Sequence, residues 1–176
     1  MHLLFLIISA IALMFGNSSH YLENFYCETF YTEHTWESAQ HNDHYIKSIE
    51  IDTNNTDISI EAVDYDEGVI QICGRNFEEN FVINKVDNTL YIKSKDNTCN
   101  NCKFSIYLPV FYQNNIKFNI NSNNGNMTFS GNINVNEIFC NIINGDILGE
   151  SLIANKIDIK TDETHNQSFN ELISKY

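Results

Sequence analysis

Cys99 and Cys102 stand in Cys99-Asn100-Asn101-Cys102, the spacing of a dithiol redox pair or of half a zinc site. A redox pair needs a helix N-terminus to lower a thiol pKa, and the residues that follow, Lys103 to Leu108, read as a strand. A zinc site needs a second cysteine pair, and the chain has none at that spacing. A turn-closing disulfide between Cys99 and Cys102, or two unpaired thiols, is therefore the expectation. Of the remaining cysteines, Cys73 and Cys140 fall at apolar strand positions and read as buried small hydrophobes. Cys27 is left with several partners open to it.

The second group with ligand chemistry is His34, Glu37, His41 and His44, which would share one face if the stretch were helical. It lacks the His-Glu-x-x-His order that sets a general base beside two ligands, and surface histidines explain it more simply. A metal-handling protein stays an alternative reading, with no metal or cofactor assigned. Carboxylate pairs such as Asp64 with Asp66 and Glu78 with Glu79 lie in polar turns. A polysaccharide-active β-helix enzyme, the other alternative, would align acids on successive rungs, whereas the repeat sets Asp146 over Asn126. No Gly-x-Ser-x-Gly elbow and no phosphate-binding glycine loop occurs, so no catalytic residue is assigned and the chain reads as a non-enzyme.

What must position such residues begins after an export signal. Leu3 to Phe15 is an unbroken apolar run ending at Gly16-Asn17-Ser18-Ser19, the pattern of a secretory signal peptide over 1–19 with cleavage near 16–19. The n-region, Met1-His2, has no Lys or Arg, so an uncleaved N-terminal membrane anchor is the alternative. The expected location is extracytoplasmic: periplasm, cell surface or medium. No later stretch is long and apolar enough for a transmembrane helix. A formal net charge of -13 repels phosphates, which excludes nucleic acid as a partner. The partner expected instead is an envelope or surface component, protein or polysaccharide.

Residues 20–45 form an aromatic and His-rich leader with no clean period. From residue 46 to 176 one all-β domain is expected. Ile49 and Ile51, Ile58 and Ile60, and Val69 or Ile70 with Ile72 alternate with polar neighbours, and further strands follow at 81–86, 89–93 and 103–108. Pro109, the one proline, ends the last of these and marks the passage into a repeat. Asn124-Gly125-Asn126-Met127 superposes on Asn144-Gly145-Asp146-Ile147 at a 20-residue spacing, and the best repeats span 116–160. Phe118 and Ile120 then precede the first turn as Ile138 and Cys140 precede the second, and Ile133 pairs with Ile153. Ile157 and Ile159 begin another rung one residue out of register. The reading is a single-domain β-solenoid of stacked short strands, parallel β-helix-like, with capping segments at both ends. Phe169, Leu172 and Ile173 at helical spacing suggest a C-terminal cap over 168–176, and the leader suggests the other.

Three motifs in order carry a family resemblance: Asn55-Thr56-Asp57-Ile58-Ser59-Ile60, then Ile106-Tyr107-Leu108-Pro109, then the repeated Asn-Gly-Asp-Ile-like turns. With the export signal they resemble the bacterial putative-adhesin, β-strand-repeat family of cell-envelope proteins, over about residues 47–161. The resemblance implies an extracytoplasmic, non-catalytic surface or envelope role. The chain departs from the family in its fewer glycines, its Cys99 to Cys102 insertion and its leader.

Overall fold

Alternation of Ile, Leu and Phe with polar residues makes strands of nearly everything the structure, a computed structural model, describes: residues 25–31, 46–64, 69–95, 102–110, 113–162 and 165–175. The strands are β1 (Phe25–Tyr31), β2 (Ser48–Thr53), β3 (Thr56–Val63), β4 (Val69–Arg75), β5 (Phe81–Val86), β6 (Thr89–Ser94) and β7 (Cys102–Pro109). They continue as β8 (Lys117–Asn124), β9 (Met127–Asn144), β10 (Ile147–Thr161) and β11 (Gln167–Ser174). A one-turn helix α1 (Phe77–Asn80) precedes β5, and a 3-10 turn (Gln113–Asn115) precedes β8.

A rung consists of a first arm and a second arm, with a tight polar corner between them at residues 54–55, 125–126 and 145–146. Three such rungs follow one another along the chain: β8 with the first part of β9, the rest of β9 with the first part of β10, and the rest of β10 with β11. First arms stack in parallel in the order β6, β2, β8, β9, β10. Second arms stack in parallel in the order β7, β3, β9, β10, β11. The strands upstream of Pro109 are thus rungs of the same stack, with β6–β7 outside β2–β3. Parallel pairing stops at that end, where β5 lies antiparallel on β6, β4 on β7 and β1 on β4. Pro109 occupies the last paired position of β7, opposite Val63, where the missing N–H interrupts nothing further.

The inward columns run through the rungs as continuous apolar files. Ile49, Phe118 and Ile138 are in register on the first arms, as are Ile51, Ile120 and Cys140. Ile58, Met127 and Ile147 do the same on the second arms. All of these are buried. Burying each large aliphatic contributes about 2 kcal/mol, and only stacking can bury them. At the β5 end the files close on an aromatic plug of Phe77, Phe81 and Phe104, with ring centroids 4.9, 5.7 and 5.2 Å apart.

The register shows why Ile157 and Ile159 sit one residue off. Met127 to Phe129 pair with Ile147 to Gly149, but beyond the bulge Asn132 pairs with Ser151 and Ile133 with Leu152. The additional residue lies in β9, where Gly131 takes a φ of 76°. The expected Ile133–Ile153 pair is accordingly not formed: Ile153 opposes Asn134, and Leu152 holds the inward place. The expected helical cap over 168–176 is also not formed. Its described residues make β11, pairing in parallel from Gln167 opposite Ile147 to Ser174 opposite Ala154, because the open edge of β10 offers backbone partners that an isolated short helix lacks.

Candidate functional site

The corners are held by a ladder of Asn and Asp side chains. Asp57 Oδ1 accepts the backbone N–H of Asn126 (2.7 Å), Asn126 Oδ1 that of Asp146 (2.9 Å), and Asp146 Oδ1 that of Asn166 (2.9 Å). A second file runs beside it, Asn144 Nδ2 donating to Asn124 Oδ1 (2.9 Å) and Asn124 Nδ2 to Asn55 Oδ1 (2.8 Å). Each side chain satisfies a turn N–H or amide that stacking would otherwise leave unpaired. The carboxylates of Asp57 and Asp146 are therefore committed to structure, and amides alternate with them. The signal for this ladder was in the sequence: an Asn or Asp immediately before Ile58, Met127, Ile147 and Gln167, which share one column of the second arms, at positions 57, 126, 146 and 166.

The turn glycines serve the same stacking. Gly125 has a φ of 119°, as its turn demands. Gly145 does not show a left-handed φ; what requires glycine there is close approach, since a Cβ would sit 1.9 Å from the carbonyl oxygen of Gly125.

Outward side chains of the first arms make the surface with the most varied chemistry. In one row Tyr91, Glu50, Asn119, Phe139 and Asp158 lie side by side; in the next are Lys93, Asp52, Asn121, Asn141 and Lys160. Two shallow depressions of about 240 Å³ each cross this face. One is walled by Tyr91, Lys93, Glu50 and Asp52, the other by Phe139, Asn141, Asp158 and Lys160, and both include Asn119 and Asn121. The two adjoin at Asn119 and Asn121, and the strip they span over five strands, termed the trough below, has an aromatic ring in each half and amides between. Lys156 lies over the Phe139 ring, 4.7 Å from its centroid. Alternation with the buried Ile51, Ile92, Ile120 and Cys140 is what turns these positions outward. The sequence could not show that Tyr91 adjoins Glu50, because the β6 rung stacks outside the β2 rung against chain order.

Of the residues singled out for chemistry, His34, Glu37, His41 and His44 lie outside the described residues, as does Cys99. Cys102 is disulfide-bonded. Cys73 is buried, and of the partners open to Cys27 it is the one bonded to it, tying β1 to β4. Cys140 is a buried free thiol whose burial pushes its pKa up to about 12. Among the described residues no group of three or more His, Cys, Asp and Glu is arranged to hold a metal ion. Nor does any helix among them have the length and apolarity to cross a membrane.

A putative cell adhesion protein from Clostridium sporogenes aligns over 80% of this chain and 73% of its own, at 7% identity and a TM-score of 0.47. A putative adhesin from Parabacteroides distasonis aligns over 84% and 66%, at 14% identity and a TM-score of 0.39. No curated protein matches the chain. The family comparison is direct: residues 46–167 match Toastrack DUF4097, a span that runs from the buried Ile46, just before β2, to Gln167, the first residue of β11. This all-β chain belongs to the Toastrack DUF4097 family.

Proposed function

We propose that the chain is an exported, non-catalytic surface module that binds a polysaccharide along the trough of its first arms. The trough itself carries the proposal. Flat aromatic rings at Tyr91 and at Phe139, the latter with Lys156 over one face, suit the apolar faces of sugar rings, and the amides of Asn119 and Asn121 can donate to and accept from hydroxyls. The rings stand three strand spacings apart, about 14 Å, so an extended polymer reaches both while a single small molecule does not. Mixed charge, with Lys93 and Lys160 beside Asp52 and Asp158, favours a neutral chain over a polyanion. The putative-adhesin names of the structural neighbours agree in kind with a surface role.

Carboxylates in the trough are not disposed for glycoside hydrolysis across strands. Glu50 and Asp158 share a row but are separated by Asn119 and Phe139, about 14 Å, well beyond the spacing of an inverting pair. Among the described strands no two carboxylates face each other on adjacent partners.

Binding of the purified chain to an immobilised panel of neutral and acidic polysaccharides tests this directly. Retention on a neutral polymer is expected, reduced at least tenfold by Tyr91→Ala and by Asn119→Ala, with the length of the bound polymer unchanged. Binding indifferent to both substitutions would place the ligand elsewhere, and shortening of the polymer would make the chain an enzyme.

A further inference from the structure

The two ends of the stack differ. At one end β5, β4, α1 and β1 cover the outer rung, whereas at the other no described residue lies beyond the inward files. Ile157 and Ile159 continue the files of Phe118–Ile138 and Ile120–Cys140 yet are only half-buried. Leu172 stands in register with Leu152, which is fully buried, but is itself 44% exposed, and its neighbour Ile173 is 41% exposed. Among the described strands both arms of this rung are also sheet edges: β11 pairs with β10 alone, and the last part of β10 with β9 alone. An edge that is open along two arms and topped by apolar side chains is an association surface.

We propose that this terminal rung docks tail to tail on the same rung of a second copy of the chain. Two observations select that occupant. A lone strand could complete one arm only, whereas a second copy presents the same two arms and corner. A twofold axis through the corner lays the last part of β10 of each copy antiparallel to β11 of the other, covering both edges at once. Finally, the last position of the corner ladder is Asn166, after Asp146 one rung below. An amide at a twofold corner can donate and accept reciprocally with its symmetry mate, which two carboxylates cannot do.

Sedimentation velocity on the full chain without its signal, from about 1 to 100 μM, reads the result. A monomer–dimer equilibrium is expected, weakened at least tenfold by Leu172→Lys and detectably by Asn166→Asp. Leu172 is exposed in the monomer, so an unchanged melting temperature at low concentration should accompany the first; if that variant fails to fold, the second alone decides. Hydrogen exchange should show β11 amides protected at high concentration and not at low. A chain that stays monomeric throughout, or a dimer that tolerates both substitutions, overturns the proposal. The polysaccharide-binding surface lies on the outward faces of the arms, so its failure and this one are read independently.

Discussion

The carboxylate of Asp146 accepts the backbone N–H of Asn166 at 2.9 Å, while the N–H of Asp146 is itself held by Asn126 Oδ1 at the same distance. Side chain and backbone of one residue thus link three successive corners, and the adjoining Ile147 enters the core with no exposed surface.

That relationship separates two neighbouring substitutions. Asp146→Asn keeps an acceptor oxygen and is expected to leave stability within about 0.5 kcal/mol. Asp146→Ala removes it and should cost about 1 kcal/mol. Ile147→Asp places an unpaired carboxylate between Met127 and the core and should cost more than about 4 kcal/mol. Urea unfolding of the three variants orders them. Similar midpoints for Asp146→Asn and Ile147→Asp would mean the inward register is wrong.

Much of this register could be read from sequence, since an Asn-Gly turn recurring after 20 residues brings Met127 to Ile147 and Ile120 to Cys140. What escaped were the places where pairing outside the repeat decided the outcome. Phe169, Leu172 and Ile173 fit a helical stripe, but β10 beside them offers a ladder of backbone partners, and pairing prevails over period. The bulge at Gly131 adds a residue to one strand without any apolar mark, so Ile133 meets Leu152 and not Ile153. The trough depends on Tyr91 and Glu50, 41 positions apart, becoming neighbours through a rung order that no local pattern encodes.

The two kinds of glycine should respond differently to alanine. At Gly131 the strain comes from a φ of 76°, with Ala62 Cβ at 3.3 Å from the added atom, so Gly131→Ala should cost about 1–2 kcal/mol. At Gly145 the Cβ would meet the Gly125 carbonyl oxygen at 1.9 Å, and backbone cannot move aside without parting two rungs. Gly145→Ala should therefore be the more damaging, and thermal melts of both should show the larger fall in Tm for position 145.

The Cys27–Cys73 disulfide closes a sequence separation of 46 residues around β2, β3 and most of β4. A cross-link over that length stabilises by about 2–4 kcal/mol, chiefly by restricting the unfolded chain. The double variant Cys27→Ala/Cys73→Ala should lose that amount in denaturant unfolding, and amides of β1 should exchange earliest because β4 is their strand partner. Equal stability of the two proteins would mean that β1 is held by its ladder and by buried Phe30 alone.

A pH dependence should arise beside the same disulfide. Burial raises the pKa of Glu28 above the ordinary carboxylate value, and the nearby Glu78 raises it further. The folded chain therefore holds a proton on Glu28 over a range where the unfolded chain has released it. Between those two pKa values the folded state binds more protons, so the Glu28 contribution to stability is full at low pH and declines as pH rises through the unfolded and then the folded value. Above that window the ionised Glu28 remains a destabilising group. Glu28→Gln removes the titration while keeping the shape, and should make the variant more stable than the parent at pH 7, with the difference shrinking to nothing near pH 4. Denaturant unfolding at several pH values measures it, and a difference that grew on acidification would reverse the sign argued for Glu28.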